Sequence, residues 1–188
     1  SALVYPAMIT DTKGLNVYAS WSPDGTQLVC RSSRDSHQEI WKMNADGSEA
    51  VNLTNTREVE DEPSWSPDGQ KIVYAFVTGE NLSDIMVMDA DGSNRKQLTH
   101  GENQSSFSPS WSPDSSKIVF ISGNHPDAQV YVMNADGSGM KQLTSGGFSK
   151  SKPAWSPDGA KIAFAAYTGD TVNDRDIFLM DSDGSNVV

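Results

Sequence analysis

Three histidines, one cysteine and a set of aspartate-rich turns are the residues of this sequence that could do chemistry. His37, His100 and His125 lie far apart along the chain. Chain order alone permits a Ser-His-Asp triad, because that geometry recurs in different orders on unrelated folds. No G-x-S-x-G elbow is present to carry a nucleophile, however. The three histidines fall in separate connecting segments and would meet around a metal only by chance. Cys30 is the one thiol. It cannot form an internal disulfide or a cysteine-based metal cluster, and its apolar run "QLVCRS" reads as core. "DADGS" at 89–93 opens like a calcium loop. Such a loop needs an acidic ligand at its twelfth position, which counted from Asp89 is His100 and counted from Asn44 is Asn55. The flanks read as strands rather than helices. No catalytic residue, metal ligand or cofactor is therefore assigned, although the acidic residues leave room for a cation in a central channel.

The elements that position these residues follow from a repeat. "WSPDG" at 21–25 returns at 65–69 and 155–159, with "WSPDS" at 111–115. In step with it run "NADGS", "DADGS", "NADGS" and "DSDGS", beginning at 44, 89, 134 and 181. A third marker closes each unit: Leu53-Thr54, Leu98-Thr99 and Leu143-Thr144. The Trp positions lie 44, 46 and 44 residues apart. Repeats of about 40–50 residues built of four short strands are the signature of propeller blades. The apolar runs are short and bounded by Gly, Pro, Asn and Asp, which reads as strands. One unit reads as strand a ending at the Trp, strand b "KIVYAF", strand c "DIMVMD" and a short polar strand d "RKQLT". The Ser-Pro-Asp-Gly and Asn-Ala-Asp-Gly stretches suit hairpin turns with a left-handed last position. Ser115 takes that position without being glycine, so its turn is expected to be the most strained. The four Trp are expected to pack between blades.

The formal net charge is −11 across 188 residues. Nucleic-acid binding needs a basic face, and no more than two basic residues stand side by side. No apolar run approaches the ~20 residues that span a bilayer. Partners are thus expected to be proteins or peptides, with no nucleic acid and no membrane insertion.

"PAWSPDGAKIAF" at 153–164 and "VYVMNADGSGMKQLT" at 130–144 carry a resemblance to the PD40 (WD40-like) β-propeller repeat, as in the C-terminal propeller of TolB proteins. It covers nearly the whole chain. It implies a β-propeller, a binding role, a place in the bacterial cell envelope (periplasmic or extracellular) and docking of a protein partner such as an envelope lipoprotein. The chain shows fewer units than the TolB propeller and lacks that protein's N-terminal domain, so the whole function is not carried over.

The fold expected is all-β: one domain over 1–188, a four-bladed β-propeller with four antiparallel strands per blade. Blades run about 11–54, 55–99, 100–144 and 145–188, the last completed by an N-terminal strand over 3–10 that closes the ring. A monomer is favoured over a dimer. The a–b and c–d hairpins share one side and repeat almost unchanged. The b–c loops and d–a links share the other and vary. The first residues of strand a, Asn16, Glu60, Ser106 and Lys150, are expected at the channel mouth. Arg34, His37, His125, Phe107, Phe148 and Tyr167 join them on the variable side as partner-binding residues. The expected function is non-catalytic recognition. The alternatives are a small-ligand or cation site in the channel, a hydrolase- or lyase-type enzyme, and a partial propeller that assembles with further blades.

Overall fold

The structure, a computed structural model, describes residues 8–10, 12–78, 82–101, 103–168 and 174–188. These residues form four antiparallel sheets and no helix. The first blade pairs β1 (Asn16–Trp21), β2 (Gln27–Ser32), β3 (Glu39–Asn44) and β4 (Val51–Asn52) in chain order. The second repeats this with β5 (Val59–Trp65), β6 (Lys71–Val77), β7 (Ser83–Asp89) and β8 (Lys96–Gln97). The third has β9 (Ser106–Trp111), β10 (Lys117–Ser122), β11 (Gln129–Asn134) and β12 (Lys141–Gln142). The fourth has β13 (Lys150–Trp155), β14 (Lys161–Tyr167) and β15 (Arg175–Asp181).

Both faces of the middle strands are apolar because both are covered. One face of each blade packs on the opposite face of the next, giving a seam of core. Val29, Ile40 and Leu53 of the first blade meet Trp65, Ile72, Tyr74 and Met88 of the second. Val73, Ile85, Val87 and Leu98 meet Trp111, Ile118, Phe120 and Met133. Val119, Ile121, Val130 and Leu143 meet Ile162, Phe164 and Met180. Every seam therefore joins the same two sets of repeat positions, one set from each blade.

The Leu-Thr marker is explained by these seams. A Cβ on Gly92 would lie 2.8 Å from the Leu53 carbonyl oxygen, and one on Gly184 would lie 2.9 Å from that of Leu143. Glycine in the c–d turn thus lets the preceding blade's leucine sit directly on its backbone. The threonine hydroxyl then accepts a hydrogen bond from strand c of its own blade, from the N–H of Ile40, Ile85 and Val130 at 3.0, 2.9 and 3.0 Å.

The two ends differ from the seams. Ile177 is 73% exposed, whereas its register counterparts Ile40, Ile85 and Val130 are fully buried. Trp21 is 58% exposed, against 8% for Trp65 and 6% for Trp111. Val188 pairs with Leu179 by two 2.9 Å backbone bonds, at the place where β4, β8 and β12 pair in their blades. The closing strand expected over 3–10 lies, up to residue 7, outside the described residues. Met8–Thr10 carry no strand, and the Ile9 carbonyl rests on Gly47 as Leu53 rests on Gly92.

Ser115 has φ +60°, the left-handed region expected of it. The strain is offset. Its hydroxyl accepts a 3.0 Å hydrogen bond from the Asp68 N–H in the neighbouring blade's turn. Ser115→Gly should therefore leave stability almost unchanged, since relief of about 1 kcal/mol of backbone strain cancels a lost hydrogen bond of about 1 kcal/mol. Ser115→Ala keeps the strain and loses the bond, so it should destabilise by ~1 kcal/mol in urea unfolding. A Ser115→Ala variant as stable as the parent chain would remove the bridging role, and equal stability of the Ala and Gly variants would remove the strain.

Candidate functional site: the axis and the groove between the third and fourth blades

The repeated turns spend their polar groups on themselves. Asp24 accepts hydrogen bonds from the Ser22 hydroxyl and from the N–H and hydroxyl of Thr26. Asp114 is bound the same way by Ser112 and Ser116. Asp46, Asp91, Asp136 and Asp183 each accept from the serine two residues on. The a–b and c–d turns are also tied together, Ala45, Ala90 and Ala135 donating to the carbonyls of Thr26, Gln70 and Ser116 at 2.9 Å. This side is scaffold.

The turn carboxylates make the fold acid-sensitive. Serine hydroxyl bonds hold Asp24, Asp46, Asp91, Asp136, Asp158 and Asp183 below the usual aspartate value, and Asp114 falls to about 2. A depressed folded-state value means the unfolded chain binds more protons below the normal range. The contribution of these turns to stability is then fully present above pH 3.8 and falls as pH drops through the lowered values. Asp114→Asn should flatten the fall in thermal stability between pH 4 and 2 relative to the parent chain. An unchanged slope would exclude this origin.

At the axis each strand a carries a bulge. Register shifts fall between Val17 and Ser20, Asp61 and Ser64, and Ser151 and Ala154, with the equivalent break in β9. The bulge residues Tyr18, Glu62, Ser108 and Lys152 have φ of +56°, +50°, +52° and +50°. They converge on a cavity of about 300 Å³ that is also lined by Pro63, Pro109 and Pro153. Glu62 accepts from the Ser108 N–H at 2.6 Å and pairs with Lys152. The Lys152 ammonium lies 4.7 Å from the Tyr18 ring centre, and the Arg31 guanidinium lies 5.2 Å from it. Arg31 pairs with Asp61 at 2.6 Å; burial nonetheless pushes the Asp61 carboxyl up, outweighing that cation. The axis is thus crossed by the protein's own ion pair.

The residues expected at the mouth share a register but engage their own surroundings. Asn16 accepts from the Ser32 hydroxyl at 2.7 Å. Glu60 is buried, accepts from Thr56 at 2.6 Å, and has a second oxygen with no hydrogen-bond partner among the described residues. Burial raises its carboxyl above the normal range. Ser106 donates to Ser122 at 3.2 Å. Arg34 stacks 4.4 Å over Trp41, His37 is exposed, and Phe107 packs into the seam between the third and fourth blades. The axial set lies two residues further along than the four expected, immediately before the Pro or Ala that precedes Ser-Trp or Ala-Trp. A bulge has no fixed sequence mark, so only that position hints at it.

Lys150, Phe148 and Tyr167 are brought together. They line a groove of about 580 Å³ with Leu143, Phe164, Ala166, Phe178 and Val187. The Lys150 ammonium donates to the Gly146 and Phe148 carbonyls at 2.8 and 2.5 Å. Partial burial lowers its value. Tyr167 forms one wall, edge-on to His125 at 5.9 Å and under the Arg175 guanidinium at 4.3 Å.

Four sheets seamed face to face, with a shared axis and one invariant side, define a β-propeller repeat module. The chain belongs to the PD40 family, the TolB β-propeller domain, whose family profile matches residues 5–79 and 75–188. It is similar to a TolB protein from Agrobacterium tumefaciens, at 29% identity and a TM-score of 0.80 over 90% of this chain and 62% of that one. TolB from Acinetobacter baumannii shares the fold at 20% identity and a TM-score of 0.79, over 95% and 44% of the two chains. So does an oligogalacturonate lyase from Vibrio parahaemolyticus, at 17% identity and 0.75 over 96% and 54%. No curated protein matches the sequence. The chain spans 62% of the length of the first of these structures and less of the others.

Proposed function

We propose that this protein is a non-catalytic binding scaffold that presents its b–c and d–a connections to a protein or peptide in the periplasm or outside the cell. The observation that carries this reading is the division of labour between its sides. Turn-side carboxylates are spent on internal hydrogen bonds, while the variable side holds an aromatic groove with Phe148 half exposed. Membership of the PD40 family and the likeness to TolB structures support a binding role, an envelope lipoprotein being the kind of partner the resemblance suggests. The test is capture from an envelope extract by the immobilised chain. Phe148→Asp with Tyr167→Ala should lose the captured partner, and Asp136→Lys on the turn side should keep it. The opposite pattern would overturn the reading.

A second reading is favoured by the two ends: the four blades form part of a larger ring. Ile177 and Trp21 are exposed where their counterparts are buried in seams. An end that matches the other end invites head-to-tail association. Sedimentation should show concentration-dependent self-association that Ile177→Asp abolishes. A monomer at all concentrations would support four closed blades instead.

A further inference from the structure

Equivalent sites between successive blades serve as internal controls for the groove. Where the first two blades meet, the same space is filled by the protein itself. Arg95 reaches across to donate to the Leu53 carbonyl at 2.5 Å, and its charge acts on Glu60 and Tyr74. Phe76 packs alongside. An internal cation thus sits opposite an internal acid. Between the third and fourth blades both members are changed. Lys150 stands at the Glu60 position, Val187 at the Arg95 position and Ala166 at the Phe76 position. The two truncations leave the groove open, and the charge facing it is reversed.

Lys150 is the one charged residue among the described residues lining this groove, and it makes no salt bridge among them. Two of its three ammonium hydrogens go to carbonyls, which leaves one for an outside acceptor. Beside it stand Phe148, Phe164 and Phe178, with the last two rings stacked at 5.7 Å. The volume is in the range of ligand pockets and exceeds one side chain.

We propose that this groove binds the free C-terminus of a peptide that ends in a large apolar residue, with Lys150 taking the carboxylate and the phenylalanines taking the side chain. The proposal rests on the binding-scaffold reading and names the partner's chemistry. C-terminal carboxylate capture is a known mode of peptide recognition, and charge-assisted hydrogen bonds are the strong ones. A free peptide end supplies both parts in the order the groove presents them.

Fluorescence anisotropy with a labelled heptapeptide ending in Phe tests this. The free-acid form should bind at least about tenfold tighter than the C-terminal amide. Lys150→Met should erase that difference while leaving amide binding unchanged. Ala166→Phe, which restores the side chain of the second blade, should block both forms, with thermal unfolding as the check that it folds. Acid and amide binding equally, neither form binding, or Lys150→Met having no effect would each overturn the proposal. N-acetylphenylalanine competing as well as the peptide would overturn the peptide assignment. Failure here with the extract capture intact would sink the groove alone; failure of both would sink the scaffold reading.

Discussion

Trp111→Ala should lower the free energy of unfolding by about 3–5 kcal/mol, the usual cost of truncating a well-buried aromatic. Trp111 is 6% exposed, packs among Val73, Ile85 and Leu98, and donates its indole N–H to the Ser64 carbonyl at 3.1 Å. Its loss opens a void at a seam and removes that hydrogen bond. Trp21→Ala, at the same repeat position, should cost less than about 1 kcal/mol, because a side chain already 58% exposed gives up little buried apolar surface. Chemical denaturation of both variants measures the contrast directly. Equal losses would mean that Trp21 is covered in solution, which would favour a partner at that end.

Thr99→Val should cost about 3 kcal/mol, since an unsatisfied buried group costs about 1–3 kcal/mol and a charged one more. The Thr99 hydroxyl accepts from Ile85 and donates to Asp84 at 2.8 Å, all three residues being buried. Valine keeps the shape, strands the Ile85 N–H and takes one of the three hydrogen bonds on the buried Asp84 carboxylate, whose others come from the Gln97 amide and the Gly101 N–H. Thr144→Val removes the same pair of bonds, but its acceptor is the neutral Gln129 amide. It should therefore cost less. Thr99→Ser should restore most of the stability, which separates hydrogen bonding from packing. Melting temperatures that fall as far for the Ser variant as for the Val variant would count against hydrogen bonding as the origin of the effect.

The blade plan was legible because each marker reports one physical constraint. The Pro-Asp-Gly and Ala-Asp-Gly turns fix the hairpins, and the apolar runs fix the strands covered on both faces. Leu-Thr is legible as a repeat, but its reason needs the structure: leucine on the next blade's glycine, threonine under its own strand c. The axis was less legible. Counting back along an ideal strand reaches Glu60 and Lys150, whereas the bulge turns Glu62 and Lys152 inward. Phe148, Tyr167 and Lys150 could be named from exposed loops and charge. Their meeting in one groove depends on Ala166 and Val187, whose smallness matters only once the register sets them against Phe76 and Arg95. Phe107 shows the opposite case, an aromatic near a link that the seam absorbs.

The bulges at the axis have a consequence for how such a chain can change. All four hold a left-handed residue that is not glycine. The backbone imposes the same conformation whether it carries tyrosine, glutamate, serine or lysine. One letter per blade can therefore be rewritten without disturbing a seam, provided it is not β-branched, since valine, isoleucine and threonine tolerate that region poorly. Copying a blade supplies the frame, and a single base change can then alter what the axis displays.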